Sequence, residues 1–195
     1  MPEPRWIDAV AKVVGGPARC WCISLARRPD RWRDFVERCP IMESVDLLDA
    51  VDGNECLMPA TSRVPSGAWG CLQSHLRILR RALVEGYDRL GGAVVVLEDD
   101  AVFADDFRAR SLDLLARTPA GWDMVYLGGQ HTHGRERHPR RVAEGIVQAY
   151  SVNRTQAYVI RGAAISIAYR HLDDLGLIAD APHRHVDHRL EELHR

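Results

Sequence analysis

The stretch VVVLEDDAVF, residues 94–103, joins the most strand-like segment of the chain to three carboxylates. Its first four residues form a continuous apolar run, which is typical of a strand buried on both faces of a parallel sheet. Glu98, Asp99 and Asp100 follow directly. Carboxylates two residues apart on a strand lie roughly 7 Å apart and repel each other by roughly 2 kcal/mol at an effective dielectric near 20. The stretch therefore predicts a central strand and a binding partner that offsets the repulsion between its carboxylates.

Strand-like segments alternate with helical patterns through most of the chain. Leu72, Leu76, Leu79 and Leu83 recur at spacings of four, three and four, which predicts one face of a helix that Gly86 ends. The alternation predicts an α/β fold with a mostly parallel central sheet. Such sheets bind ligands at the carboxyl ends of their strands, where the acidic stretch lies. The predicted strands lie within residues 20–25, 45–53, 91–100 and 122–129, further helices follow Pro29 and cover residues 105–117, and residues 155–172 form a strand that runs into a helix.

The composition predicts one domain over residues 1–195. A formal net charge of −1 argues against a general binder of nucleic acid. The N-terminal sequence lacks the apolar core of a signal peptide, and no apolar run approaches membrane-spanning length, so no transmembrane segment is expected. The five cysteines are odd in number and lack CxxC spacing, which favours free thiols in a reducing compartment. These features predict a cytoplasmic protein.

The acidic stretch has two interpretations. Strand alternation predicts Glu98 and Asp100 on one side and Asp99 on the other. Two carboxylates that face a crevice suit Mg²⁺ or Mn²⁺, and such a site usually needs substrate phosphates to complete the coordination. Alternatively, the acids begin the next helix, although Asp105 and Asp106 are better placed for that role.

Four segments, in order, resemble glycosyltransferase family 25, the group that contains bacterial lipooligosaccharide galactosyltransferases and collagen galactosyltransferases. VVVLEDDAVF resembles the acidic motif of that family, and the helix with the Gly-Cys…Ser-His pattern is the most specific match. In the segment CISLARRPDRWRDF, Ser24 stands where an Asn is usual in the family. Together the matches span roughly residues 20 to 190. The other three segments are CISLARRPDRWRDF, GAWGCLQSHLRILRRAL, and DMVYLGG followed by TQAYVIRGAA.

The resemblance implies a GT-A fold, which is a Rossmann-like nucleotide-sugar domain, and it implies that Glu98-Asp99-Asp100 is the DxD-type motif. Mn²⁺ or Mg²⁺ would neutralise the carboxylates together with the donor's diphosphate, and would stabilise the leaving diphosphate. Asp100 is the expected direct ligand, and Glu98 would contact the metal directly, through water, or hold the ribose. Family members usually continue further, so the domain is expected to be short at its C-terminus.

The resemblance also implies a set of donor-binding residues. A strand end followed by a helix N-terminus offers backbone donors to an anion, although the arginines in this set could simply lie on the solvated surface. His75 could instead be a structural residue whose hydrogen bonds are satisfied within the core. Gly70 is costly inside a helix, which indicates a close approach of backbone or ligand. The implied donor-binding residues are Ser24, Leu25, Arg27, Arg31, Gly70, Ser74, His75, Glu98 and Asp99.

Asp187 aligns with an acidic position near the end of the family's catalytic region. Because the family inverts anomeric configuration, its members need a base for the acceptor hydroxyl, and Asp187 is the candidate. The alternative makes Asp187 a helix cap. His185 or His188 could complete a metal site. The His- and Arg-rich segment 131–141 is expected to be a loop that could close over the donor or meet an anionic acceptor.

The predicted function is a metal-dependent inverting transferase that moves a hexose, with galactose as the candidate, from a UDP-sugar to a hydroxyl acceptor on a glycan, lipooligosaccharide or peptide, as in lipopolysaccharide biosynthesis. A non-catalytic module that binds a nucleotide-sugar or a partner is the alternative. A metal-dependent phosphohydrolase would need further carboxylates at strand ends, and Asp52 and Asp123 are the plausible suppliers.

Overall fold

The structure is a computed structural model that describes residues 4–131, 139–181 and 183–194. Helices and strands alternate along most of the chain, as predicted. The helices are α1 (Trp6–Val14), α2 (Pro29–Arg38), α3 (Ser66–Val84), α4 (Phe107–Arg117), α5 (Ala163–Leu172), α6 (Leu175–Asp180) and α7 (Val186–Glu191). The strands are β1 (Ala18–Ser24), β2 (Val45–Asp49), β3 (Ala93–Glu98), β4 (Met124–His131), β5 (Arg141–Ala143), β6 (Ile146–Val147) and β7 (Val152–Arg161).

The central sheet has the strand order β2-β1-β3-β7-β4. β1 pairs in parallel with β2 and β3, whereas β7 is antiparallel to both β3 and β4. The α/β class with a mostly parallel sheet is thus confirmed, and β3 is the central strand. The described chain between β4 and β7 contains the short β5–β6 pair instead of a crossover helix. A connection without a crossover helix joins antiparallel strands readily, which accounts for the reversed direction of β7.

β3 is buried on both faces, as its apolar run predicts. Val94 and Val96 pack into the core that α3, α5 and α7 cover, while Val95 and Leu97 pack into the core that α1, α2 and α4 cover. The sheet therefore lies between two layers of helices. Glu98, the last residue of β3, continues the alternation of Val94 and Val96 and so lies on the side of α3.

Strand register brings the acidic stretch beside the end of β1. Ile23 lies opposite Glu98, and Ser24 lies opposite Asp49 of β2. The Asp99 amide donates to the Ile23 carbonyl at 3.1 Å, which extends the β1–β3 ladder past the strand end. Ser24 and Glu98 therefore open on the same end of the sheet, as the sequence predicts.

Two features of the described chain were not predicted. α1 packs against α4, and the Trp6 indole donates to the Ser111 hydroxyl at 3.0 Å. The second feature is the β5–β6 pair. The His- and Arg-rich segment 131–141, expected to be a loop, begins in β4 at His131 and ends in β5 at Arg141, and its residues 132–138 lie outside the described residues. Within the described ranges, no helix combines the length and apolarity needed to cross a bilayer.

Candidate functional site

A cleft of about 270 Å³ opens at the carboxyl ends of β1, β2 and β3, and we call it the acidic cleft. Most of the donor-binding residues that the family resemblance implies line this cleft. Gly70 and His75 are the exceptions, because they lie on α3 among buried residues. The predicted metal ligand Asp100 lines the cleft as well. The cleft-lining members of the donor-binding set are Ser24, Leu25, Arg27, Arg31, Ser74, Glu98 and Asp99.

All three acidic side chains border the acidic cleft. Strand alternation predicts Asp99 on the side opposite Glu98, and their contacts differ in that way: Glu98 meets His75 of α3, whereas Asp99 meets Arg31 of α2. β3 ends at Glu98. A turn follows, in which the Ala101 amide donates to the Glu98 carbonyl at 3.0 Å.

Asp99 is buried and held by two neighbours. The Ser24 hydroxyl donates to Asp99 Oδ2 at 2.8 Å, and the Arg31 guanidinium forms an ion pair with Asp99 Oδ1. Arg31 also lies 3.3 Å from Asp100 Oδ2. Arg31 therefore offsets part of the repulsion between the carboxylates, because it contacts two of the three.

Asp100 differs from Asp99 because about half of its side chain (51%) is exposed. Its pKa is raised above the usual value by partial burial and by the charges of Glu98 and Asp99, while Arg31 opposes the shift. A carboxyl whose ionised form is disfavoured by like charges is stabilised when a cation arrives. Exposure and charge therefore both suit Asp100 to a metal ion.

Glu98 lies deeper, between β7 and α3. The Thr155 hydroxyl donates to Glu98 Oε1 at 2.6 Å, and His75 Nε2 lies 3.4 Å from the same oxygen. Burial raises the pKa of Glu98, but His75, Thr155 and Arg31 outweigh burial, so the pKa lies below its usual value. Glu98 is therefore held as a carboxylate at the back of the cleft.

The helical glycine Gly70 is explained by contact between backbones. A Cβ on Gly70 would lie 2.6 Å from the Gly53 nitrogen, so α3 packs directly on the loop after β2. Ser74 joins the same two segments, since its hydroxyl donates to the Gly70 carbonyl at 2.7 Å and accepts from the Val51 amide at 2.9 Å. His75 is fully buried, with Nδ1 3.0 Å from the Tyr158 hydroxyl. The donor-binding roles of these α3 residues stay predictions.

Arg27 stands at the mouth of the acidic cleft, where its guanidinium pairs with Asp52. The Asn54 amide and Arg27 lower the pKa of Asp52. More than half of the Arg27 side chain is exposed, compared with about a third for Arg31. Of the two arginines, Arg27 is thus more exposed to solvent, whereas Arg31 is more buried and contacts two carboxylates.

A second cleft of about 190 Å³ adjoins the acidic cleft, and we call it the Asp187 cleft. Asp187 and Thr155 line it, and Glu98 and Cys71 line both clefts. The structure thus places Asp187 in a cleft that shares a wall with the predicted metal ligand Glu98.

Asp187 is not a helix cap. α7 begins at Val186 after the N-cap residue His185, so Asp187 lies inside the first turn. Its oxygens accept from the backbone amides of His188 at 2.9 Å and Arg154 at 3.4 Å. Arg154 has a positive φ of 80°, which is uncommon for a residue with a side chain. Asp187 is therefore held at the cleft by the start of β7 as well as by α7.

Comparison with the sequences of known proteins places the chain in a family. No family model matches the chain. A Bos taurus protein named "Probable inactive glycosyltransferase 25 family member 3" is 32% identical over 170 residues, which cover 73% of this chain and 27% of that protein. The chain belongs to the glycosyltransferase 25 family.

Other glycosyltransferase 25 relatives match in the same way. The Homo sapiens "Inactive glycosyltransferase 25 family member 3" is 32% identical over 160 residues, which cover 71% of this chain and 26% of that protein. The Anopheles gambiae "Glycosyltransferase 25 family member" is 26% identical over 176 residues, which cover 80% of this chain and 29% of that protein. The chain thus spans little more than a quarter of the length of the curated relatives it matches.

Sequence reasoning did not select Cys71, which lines both clefts. Burial raises its pKa well above the usual value, and the charges of Glu98, Asp187 and Asp100 add to that shift. The available signal was the spacing of four between Cys71 and His75, which places both on one face of α3. Within the described ranges, His185 and His188 are not members of a group of three metal-ligating side chains.

Proposed function

We propose that this chain is the donor-binding and catalytic domain of a metal-dependent, inverting hexosyltransferase. The donor is a UDP-sugar, with galactose as the candidate hexose, and the acceptor is a hydroxyl on a glycan, lipooligosaccharide or peptide. The observation that carries the proposal is the meeting of Glu98, Asp99 and Asp100 with Arg27 and Arg31 in one cleft at the carboxyl end of the sheet. Carboxylates beside guanidinium groups suit a diphosphate bound through a divalent cation. The cytoplasmic location and a role in lipopolysaccharide biosynthesis stay predictions.

Mn²⁺ or Mg²⁺ fits the residues present, because carboxylate oxygens are the ligands that these cations prefer. Asp100 is open to solvent and disfavoured by its neighbours' charges, so it serves as the direct ligand. Glu98 lies behind Asp100 and supplies a second oxygen, directly or through water. The bound cation would stabilise the negative charge on the leaving diphosphate.

Arg31 has a second task in this proposal. Without a cation it neutralises Asp99 and Asp100. Once a divalent cation supplies that positive charge, some of the guanidinium N–H groups can donate to a phosphate oxygen instead. The planar guanidinium suits phosphates because it can donate two parallel hydrogen bonds. Ser24 holds Asp99 in place meanwhile, so Asp99 acts as a positioning residue for Arg31.

Asp187 is the proposed general base. It lies in the cleft on the other side of Glu98 from the arginines, where an acceptor hydroxyl could approach. Backbone amides from two segments fix its carboxylate without any arginine or lysine pairing in the described chain. An oxygen held in this way remains available to accept a proton from the acceptor.

A non-catalytic module is the second candidate, and the names of the mammalian relatives favour it because they are called inactive. Such a module would bind the nucleotide-sugar and leave it intact. A phosphohydrolase is disfavoured, because Asp123 precedes β4 and lies at the amino end of the sheet, opposite the acidic cleft. Asp52 alone joins the cleft, where it is paired with Arg27.

A donor-hydrolysis screen tests the proposal. UDP-, GDP- and CMP-sugars are incubated with the protein, with and without Mn²⁺, and the released sugar is measured. Mn²⁺-dependent release from one UDP-hexose supports the transferase. Binding of that donor by calorimetry with no release supports the module. Release that is independent of Mn²⁺ contradicts the metal-dependent transferase, and the absence of both release and binding contradicts both candidates.

A further inference from the structure

Cys71, His75 and Glu98 form a compact group of potential metal ligands. One atom from each, the thiol sulfur, an imidazole nitrogen and a carboxylate oxygen, lies within 4.8 Å of the other two. α3 presents Cys71 and His75 one turn apart on the same face, and the end of β3 presents Glu98. Among the described residues, no other three His, Cys, Asp or Glu side chains bring their ligand atoms this close together.

His75 supplies an independent sign of a missing ligand. The side chain is fully buried, yet Nε2 makes no hydrogen bond, and its 3.4 Å contact with Glu98 lacks hydrogen-bond geometry. A buried polar atom without a partner is costly and calls for an explanation. When Nδ1–H donates to the Tyr158 hydroxyl, the lone pair of Nε2 faces Glu98, and a cation between the two would replace the attraction that a proton on Nε2 supplies in the other tautomer. A histidine whose second nitrogen is fixed by a hydrogen bond is the usual arrangement of a metal ligand.

We propose that Cys71, His75 and Glu98 bind a thiophilic divalent cation, with Zn²⁺ as the expected ion. Thiolate sulfur, imidazole nitrogen and carboxylate oxygen all bind Zn²⁺, and three protein ligands leave the fourth tetrahedral position open. Thiolate and imidazole also discriminate against Mg²⁺ and Mn²⁺, which prefer oxygen ligands. On binding, a sulfur–zinc bond replaces the sulfur–hydrogen bond, and the proton passes to solvent without any change of oxidation state.

The site is reachable and overlaps the acidic cleft. Cys71 and Glu98 line both clefts, so the open position of the cation faces solvent. Glu98 cannot serve a thiophilic cation and a donor-site cation equally well. Zn²⁺ should therefore weaken Mn²⁺-dependent donor binding, a consequence that rests on the proposed function, whereas the zinc site itself does not.

Cobalt spectroscopy tests the site directly. Co²⁺ is titrated into the full chain, and a thiolate-to-cobalt charge-transfer band in the near ultraviolet should appear and be removed by one equivalent of Zn²⁺. Oxygen ligands at the acidic cleft cannot produce that band. Cys71→Ser should weaken Co²⁺ binding by at least about 10²-fold and lose the band, since even the partners of metal ligands are worth ~10–100-fold. Cys56→Ser, at another partly exposed free cysteine, should keep it.

The proposal is overturned if the wild-type protein shows no band or if Cys71→Ser retains it. Should Cys71→Ser fail to fold by circular dichroism, alkylation of the wild-type protein decides instead. Zn²⁺ should then slow alkylation of Cys71 and leave that of Cys56 unchanged, as mapped by mass spectrometry. Equal protection of both cysteines, or of neither, contradicts the site.

A competition experiment separates this inference from the proposed function. UDP is titrated in Mn²⁺ with and without one equivalent of Zn²⁺, and Zn²⁺ should weaken UDP binding to wild-type protein but leave that of Cys71→Ser unaltered. A cobalt band without any Mn²⁺-dependent UDP binding leaves the zinc site standing and refutes the donor site. Mn²⁺-dependent UDP binding without a cobalt band refutes the zinc site alone.

Discussion

The acidic cleft and the Asp187 cleft share Glu98 and Cys71 but are built differently. Consecutive strand ends form the acidic cleft, and their register places its charged groups together. The Asp187 cleft instead joins the irregular start of β7 to the six-residue helix α7. In the acidic cleft, arginines pair with the carboxylates, whereas in the Asp187 cleft the Asp187 carboxylate accepts from two backbone amides and lies 3.7 Å from His188 Nδ1. The difference indicates two tasks on either side of Glu98, anion binding and proton transfer.

The largest expected effect separates Asp100 from the rest of the acidic surface. Asp100→Ala should abolish Mn²⁺-dependent UDP binding while circular dichroism shows an intact fold, because the cation loses its exposed ligand. Asp105→Ala removes an exposed carboxylate five residues further on and should bind UDP as wild type does. Calorimetry with both variants is the measurement. Equal UDP affinity for both would remove the acidic cleft from donor binding.

The next effect addresses the Asp187 cleft. Asp187→Asn should reduce transfer by about 10²–10⁴-fold, the usual scale for the loss of a general base, and should leave UDP affinity almost unchanged. Asp174 is the matched control, because its side chain caps α6 by accepting from the Gly176 and Leu177 amides. Asp174→Asn should cap nearly as well and keep full transfer. Near-wild-type turnover by the Asp187 variant would exclude it from the mechanism.

A smaller effect concerns the wall that α3 contributes. Gly70→Ala should lower the free energy of unfolding by about 1–3 kcal/mol, because the new methyl group would collide with the backbone near Gly53. Gly67→Ala, on the same helix, meets no atom within 4 Å and should be neutral or stabilising by roughly 0.5–1 kcal/mol. Urea denaturation measures both. If the two variants are equally stable, the close approach of α3 to the loop after β2 is wrong.

The smallest effect is a pH-dependent gain in stability. The pKa of Asp100 is raised in the folded state, so ionised Asp100 lowers the free energy of unfolding at pH values above that pKa. This loss of stability disappears as the pH falls and Asp100 becomes protonated. Asp100→Asn should therefore melt slightly above wild type at pH 7 without metal, and the difference should vanish in the acidic range where Asp100 is protonated. A difference independent of pH would show that repulsion at Asp100 is not its source.

The fold of the acidic cleft follows from patterns that the sequence displays. The apolar run before Glu98 predicts a strand buried on both faces, and parallel strands place their carboxyl ends at one edge. Strand alternation also predicts that Asp99 faces away from Glu98, but it does not identify Ser24 and Arg31 as the partners of Asp99. The partner of Asp99 comes from a segment about 75 residues away, which local periodicity does not encode.

The other side of Glu98 was less predictable. Nothing in the local pattern shows that β7 runs antiparallel, although the lack of a helical pattern before it was a usable signal. The position of Asp187 came from family resemblance alone, since the six residues of α7 are too few for a periodic signal. Thr155, which donates to Glu98, lies in a predicted strand whose neighbours in the sheet were unknown.

The central claim is that the acidic cleft binds a nucleotide diphosphate through a divalent cation. Titration of UDP into the wild-type protein by calorimetry tests this claim most directly, once in Mn²⁺ and once after exhaustive chelation. We expect one binding event per chain in Mn²⁺ and none after chelation, with full recovery when Mn²⁺ is restored. The same UDP affinity with and without chelator, or no binding in Mn²⁺, would contradict it.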